Sequence, residues 1–288
     1  MNIQFESASS IAEVFNGIVD LIPILRMDVK PNGLYVNCLE TNGCSFVDLY
    51  IASTDMKQYN IDDDENVLSI MLDLKFLLKI LSKLSKTDPV RFIFKTGDDK
   101  ITITQHKSKY TISLIDIDIK VIQIPSLERV ASVRMSSTVL KDTFDKLSLF
   151  SDTCRITSLK NKQSIVFSSN GPFGSGREEI TKSKDSTITE SYFDFFPLPY
   201  LIKFMKANKV SSHVSINLVK HKPVSIKFDV FIDSHLQFYL APKVADTTDI
   251  SQQELEEDDD VETNNESESD SDSGYEDIQV LVSDSDED

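Results

Sequence analysis

At 288 residues the chain has the length of two ordinary domains, and its net charge of −17 speaks on its face against a nucleic-acid partner. The acid is unevenly placed: positions 245–288 hold 19 of the 47 Asp and Glu and none of the 30 Lys and Arg, leaving 28 acids against 30 bases elsewhere. The low isoelectric point therefore describes the tail and says little about what the body binds.

Residues 2–6 alternate like a strand, and Ser9-Ser10 offers an N-cap for a helix over 11–22 that Pro23 stops. Its core face is Ile11, Val14, Phe15, Ile18 and Val19, and it carries Glu13 and Asp20 but no lysine. Strands are predicted over 25–29, 34–39 and 45–51, separated by the turns Pro31-Asn32-Gly33 and Thr41-Asn42-Gly43. An acidic loop at 62–65 leads to a strand over 67–72. The stretch that organises the chain follows, a helix over 72–86. Leu74, Leu77, Leu78, Leu81 and Leu84 form its apolar stripe. Lys75, Lys79 and Lys83 sit four apart on the opposite side, with Lys86 close to the same line. Strands over 90–95, 100–105 and 109–115 complete this half, with a turn at Gly97-Asp98-Asp99.

The stretch 116–131 alternates apolar and polar residues without glycine and passes through Ile122, Ile124 and Pro125. It is expected to run extended over a surface as an interdomain connector, and an apolar patch exposed there marks a binding site. The second half then reads as a strand over 130–135, a helix capped by Ser136-Ser137 and running to about 150, and a hairpin of 154–159 with 164–168. A glycine-rich turn at 171–176, strands over 177–181 and 192–196, a helix over 198–208 and strands over 214–219, 224–232 and 235–241 follow.

Leu77-Leu78-Lys79-Ile80 returns 124 residues later as Leu201-Ile202-Lys203-Phe204, and the strand 90–94 returns in register as 214–218. A helix and its following strand repeated without a gap indicate a duplicated domain. Each half reads helix, strands, helix, strands with hairpin-like connections, which is α+β. The expected division is an N-terminal domain 1–115, a connector 116–131, a C-terminal domain 132–244 and a tail 245–288. The tail cannot bury enough apolar area to offset its ordering entropy and is expected to be disordered. Strands at 110–115 and 177–181 look like exposed edges, and exposed edges invite pairing. Tyr110 and Ile112 on one edge and Gly176 and Arg177 on the other are expected to meet head to tail between copies.

Several stretches are now specific enough to carry a resemblance. They are HLQFYLAPKV at 235–244, Tyr200-Leu201 through Lys206-Ala207, Asp116-Ile117-Asp118 leading to Ile122-Gln123-Ile124-Pro125, and Gly174-Ser175-Gly176. From about 3 to 244 the chain resembles the proliferating cell nuclear antigen family of sliding clamps. The resemblance implies the DNA-clamp fold: α+β, two similar helix and antiparallel-sheet domains per chain, and three chains forming a closed ring. Helices would line a hole that holds duplex DNA. It implies no enzymatic activity and no cofactor. It further implies an ATP-driven clamp loader, and DNA polymerase and other clamp-binding-motif proteins as clients under the connector. The expected location is the nucleus, or a viral DNA replication site for a viral chain.

On this resemblance the DNA-facing residues are Lys75, Lys79, Lys83, Lys86, Lys203, Lys206 and Lys209, with Lys141 and Lys146 beside Asp142 and Asp145. Sliding needs phosphate attraction without base readout, which lysines on a helix face without interleaved aromatics supply. Leu39, Phe46, Pro223, Tyr239, Ala241 and Pro242 match positions that build the family's partner pocket. Lys160 matches the family's best-known modified lysine. The chain departs from the family in lacking lysine on the first helix, in its aspartates at 142 and 145, and in Gly43 where histidine is common. It reads as a divergent member.

Catalytic and metal readings find no support. The run GPFGSGR at 171–177 lacks the Lys-Ser/Thr of a phosphate loop, and His106, His213, His221 and His235 are scattered without ligand spacing or a nucleophile nearby. Cys38, Cys44 and Cys154 lack a second pair for zinc and fit buried thiols in a reducing compartment. No apolar run approaches a membrane span. In the tail, Ile278-Gln279-Val280-Leu281-Val282 beside acid resembles segments that add a strand to the small ubiquitin-like modifier. The rival reading is an acidic-tailed nuclear interaction protein such as a histone-binding chaperone, which the tail favours and the lysine helices disfavour.

Overall fold

The computed structural model describes residues 1–61, 68–95, 97–116 and 128–243. The acidic loop, Ile122, Ile124 and Pro125 of the connector, and the acidic tail lie outside the described residues. The first half runs β1 (Asn2–Phe5), α1 (Ala8–Asn16), β2 (Ile24–Lys30), β3 (Gly33–Leu39), β4 (Ser45–Ala52) and β5 (Gln58–Asn60). It continues with β6 (Leu68–Asp73), α2 (Leu74–Leu81), β7 (Val90–Ile93), β8 (Lys100–Gln105) and β9 (Ser108–Ser113). The second half repeats this order with β10 (Ala131–Ser136), α3 (Ser137–Leu147), β11 (Thr153–Leu159), β12 (Ser164–Gly171), β13 (Gly174–Thr181) and β14 (Thr187–Ile188). It ends with β15 (Tyr192–Pro197), α4 (Leu198–Phe204), a 3-10 segment (Met205–Lys209), β16 (His213–Leu218), β17 (Val224–Val230) and β18 (Ser234–Leu240).

The helices begin and end where side chains satisfy their termini, which moves several predicted limits. The first starts three residues before the expected 11–22, because Ser7 is the cap and its Oγ accepts the Ser10 N–H at 3.1 Å. It stops before Gly17, which lies so close to Met205–Lys209 that an added Cβ would sit 3.1 Å from Cβ of Ala207. Ile18 and Ile22 remain buried in the turns beyond, so apolar periodicity outlasts the helix. The second helix is capped by Asp73, whose carboxylate accepts the Phe76 N–H at 2.7 Å, and it ends at Leu81 rather than 86. Ser82 closes it by donating its hydroxyl to the Lys79 carbonyl at 2.7 Å, so Lys83 and Lys86 follow the helix instead of riding on it. The expected helix 198–208 finishes as the tighter 3-10 segment.

The glycine-rich stretch 171–176 is a turn only at its centre. Strands β12 and β13 run through it, and only Pro172 and Phe173 make the bend. The glycines are there because the hairpin lies against Phe150. A Cβ at Gly171 would fall 1.9 Å from the Phe150 carbonyl oxygen, and one at Gly176 would fall 2.6 Å from its ring.

Three antiparallel sheets result. A nine-stranded sheet, β14-β10-β16-β17-β18-β4-β3-β2-β6, crosses from one half to the other through β18 and β4, from His235 opposite Tyr50 to Leu240 opposite Ser45. A five-stranded sheet, β5-β1-β7-β8-β9, and a four-stranded sheet, β13-β12-β11-β15, stand apart. Strand for strand, β5-β1-β7-β8-β9 matches β14-β10-β16-β17-β18, and β13-β12-β11-β15 matches β4-β3-β2-β6. The β18–β4 seam therefore has an unmade counterpart, β9 with β13, whose outer edges have no strand partner among the described residues.

The helices form one row on the inner side of the sheets. The second packs on the first, the first on Met205–Lys209, and the third on α4 and that same segment. Apolar side chains from both halves fill a single core between the two layers. Phe204 of α4 stacks on Phe238 of β18, with centroids 4.6 Å apart and planes 7° from parallel. On the opposite face the same strands alternate outward, which leaves that side to polar groups and to the pocket described next.

Candidate DNA-facing surface and partner pocket

The second helix separates its two faces except at Phe76, an aromatic residue left 48% exposed between Lys75 and Lys79. Leu74, Leu77, Ile80 and Leu81 are buried, Leu78 is half-buried, and Lys75 and Lys79 are exposed. Lys83 and Lys86 are exposed just beyond its end, around the buried Leu84. These four lysines have no ion-pair partner among the described residues. Lys209 is likewise exposed, while Lys203 is half-buried with its ammonium 5.0 Å from the centre of the Tyr200 ring.

The other three expected lysines are already paired. Lys141 pairs with Asp145 one turn along α3, and Lys146 donates to Glu178 of β13 at 2.9 Å. Lys206 pairs with Asp20 in the turn after α1. The carboxylate of Asp145 holds the Lys141 ammonium above its ordinary pKa, and Glu178 does the same for Lys146. The spacing of Lys141 and Asp145 was legible in the sequence. The roles of Glu178 and Asp20 were not, because each is brought in by tertiary packing. Among these nine lysines, the charge left without a carboxylate partner is thus concentrated on the α2 region.

On the opposite side of the sheet, register places Leu39, Phe46 and Tyr239 in one row across β3, β4 and β18. The row crosses the seam between the halves, with the Phe46 and Tyr239 rings 6.1 Å apart, edge to face. Leu39 is 41% exposed and Phe46 only 6%. Ala241 continues the seam by donating its N–H to the Cys44 carbonyl at 3.0 Å, and Pro223, Ala241 and Pro242 are half-buried at its end. Burial and the nearby Asp48 raise the Tyr239 hydroxyl's pKa, while Arg129 opposes them. A polar tie that the sequence did not announce braces the halves: Asn42 donates to the Tyr200 hydroxyl at 3.2 Å, which lies 3.3 Å from the Glu40 carboxylate.

Tyr110 and Ile112 lie on β9, and Gly176 and Arg177 on β13, the two unpaired edges. Lys160 is exposed in the loop between β11 and β12. Cys38 and Cys154 are buried, but Cys44 is exposed, and all three are free. No group of His, Cys, Asp and Glu among the described residues is arranged to hold a metal.

A duplicated sheet with its helices in one inner row, and a lysine face on that row, defines a DNA sliding clamp, a processivity factor of DNA replication. The descriptions "Proliferating cell nuclear antigen, N-terminal domain" and "Proliferating cell nuclear antigen, C-terminal domain" match residues 1–127 and 123–243. The chain belongs to the proliferating cell nuclear antigen family. It is similar to the proliferating cell nuclear antigen of Chaetomium thermophilum, at 25% identity with 85% of this chain and 99% of the relative covered. The Saccharomyces cerevisiae protein of that name is 26% identical, with the same shares covered. Proliferating cell nuclear antigen 2 of Plasmodium falciparum is 28% identical over 81% of this chain and 95% of its own. The chaperone reading is not favoured by these matches, and none of these relatives supports a viral setting.

Proposed function

We propose that three copies of this chain close head to tail into a ring, each pairing β9 with β13 of the next, around duplex DNA. The observation that carries this reading is the β18–β4 seam, made once within the chain and left unmade at its equivalent edges. Register specifies the missing contact. Phe92–Ile103–Tyr110 corresponds to Ile216–Ile226–Phe238, and Asp28–Tyr35–Tyr50 to Thr157–Val166–Glu179. Because Phe238 lies opposite Val47, Tyr110 should lie opposite Gly176 of the next copy, a large ring against a residue with no side chain.

In that ring Lys75, Lys79, Lys83, Lys86, Lys203 and Lys209 attract phosphates, with Lys141, Lys146 and Lys206 contributing less because of their acidic partners. The row Leu39–Phe46–Tyr239, with Pro223, Ala241 and Pro242, forms one wall of a client pocket, and Ile122, Ile124 and Pro125 of the connector form the other. Polymerase and other clients enter it with a short apolar and aromatic plug. An ATP-driven loader places the ring, the site of action is the nucleus, and the protein acts by tethering rather than by catalysis.

A cysteine pair tests the ring. Thr111→Cys and Ser175→Cys, in a Cys44→Ser background, occupy the positions equivalent to Tyr239 and Phe46. Oxidation should give covalent trimers that stay on nicked circular DNA in high salt and slide off after linearisation. Cross-links confined to dimers, or equal loss from circles and lines, would refute the ring.

A further inference from the structure

Lys75, Lys79, Lys83 and Lys86 have no carboxylate partner among the described residues, although Lys141, Lys146 and Lys206 each have one. Lys75 and Lys79 lie a turn apart on α2 with Lys83 and Lys86 just beyond its end, and like charges so gathered repel one another, so such a face favours a polyanion. DNA is one candidate. The other belongs to the chain itself, in the 19 acids and no bases of 245–288. We propose that this acidic tail docks on the lysine face of α2 when DNA is absent and competes with DNA for it. The proposal rests on the reading of that face as DNA-facing and adds its regulation.

The anchoring of Lys243 fixes the distance the tail must span. At Lys243 the N–H donates to the Phe195 carbonyl at 2.7 Å, and Phe195 precedes α4 by three residues. The Lys243 ammonium reaches Asp152 at 3.4 Å, just past the end of α3. The described chain therefore ends at the α3–α4 end of the helix row, and the tail has to span the row to reach α2. A flexible chain of its length has a root-mean-square span of roughly 35–40 Å, set against a radius of gyration of about 18 Å for a folded body of this size. Tethering gives it an effective concentration in the millimolar range. Seven of the nine residues at 254–262 are acidic, a dense block that can neutralise several lysines at once. The attraction is electrostatic and unspecific, so it is strong at low salt and screened at high salt, with a Debye length of about 10 Å at 0.1 M. Serines followed three residues later by an acid, at 251, 267, 269, 273, 283 and 285, would add charge on phosphorylation and strengthen the docking.

The test uses the full-length chain and a variant with Glu254, Glu256, Glu257 and Glu262 changed to Gln and Asp258, Asp259 and Asp260 to Asn. Carbodiimide cross-linking without DNA should join the 254–262 block to Lys75, Lys79 or Lys83 in the native chain. Neutralising the block should tighten binding to a short linear duplex about three- to tenfold near 50 mM salt, and the gap should close by about 300 mM. In a Lys75→Gln, Lys79→Gln, Lys83→Gln background, neutralisation should change nothing. Cross-links no more frequent at these lysines than at Lys57 or Lys160, together with unchanged DNA affinity, overturn the proposal. If the cross-links form but the lysine substitutions leave DNA binding intact, the tail docks as proposed and the DNA-facing reading is what fails.

Discussion

Lys206 forms an ion pair with Asp20, so a lysine of the second half is held by the turn after the first helix. Both groups are substantially exposed, and the pair matters for charge placement more than for stability. Asp20→Asn should release the ammonium to phosphate. Plots of log DNA retention against log salt should steepen by about 0.9, the effect of one added phosphate contact. An unchanged slope would mean that Lys206 does not face DNA even when freed.

The same reasoning ranks the lysines. Lys75→Ala with Lys79→Ala should weaken retention on linear DNA and flatten the salt slope by roughly two contacts, without altering sequence preference. Lys141→Ala with Lys146→Ala should have a clearly smaller effect, since Asp145 and Glu178 already occupy those ammonium groups. Equal losses from the two double variants would show that the pairs do not persist in the ring.

At the unmade seam, Thr111→Pro removes an outward ladder donor from the β9 edge and should give monomers at low micromolar concentration in sedimentation experiments. Tyr110→Phe keeps both the ladder and the ring facing Gly176, and should remain trimeric. Survival of the trimer in the proline variant would place the interface elsewhere.

Leu39→Ala with Pro242→Ala should weaken a client peptide bearing one aliphatic and two aromatic anchors at least about tenfold. Assembly and DNA retention should be unaffected. Titration of a labelled peptide reads this directly, and unchanged affinity would remove these residues from the pocket.

Phe204→Ala takes away the ring stacked on Phe238 at the join of helix layer and sheet. It should cost about 3–5 kcal/mol, read as a lower urea midpoint. A loss below about 1 kcal/mol would mean that neighbouring core residues close the cavity.

Much of this molecule was legible in its sequence, for reasons that also explain the misses. Leu74, Leu77 and Leu81 announce α2 because burial imposes helical spacing on them. Its end at Ser82 was hidden because Leu84 is buried too and prolongs the apolar pattern without prolonging the helix. Ser9-Ser10 looked like a cap, yet Ser7 makes the bond, a choice set by how the chain enters from β1. The glycines at 171 and 176 suggested a bend; what they accommodate is Phe150, twenty or more residues away in the chain. Lysine positions were readable, but their pairing with Glu178 and Asp20 was not, because sequence carries spacing along a helix and not contact across a fold.

The β18–β4 seam gives the proposed ring two kinds of joint. One is backed by a shared core, by Phe204 on Phe238 and by the tie from Asn42 to Tyr200, and cannot part without unfolding the chain. The other, β9 against β13, joins separately folded bodies and can be released intact. Rigid struts therefore alternate with latches around the circle, and a machine that levers the ring apart would find the gate already chosen for it.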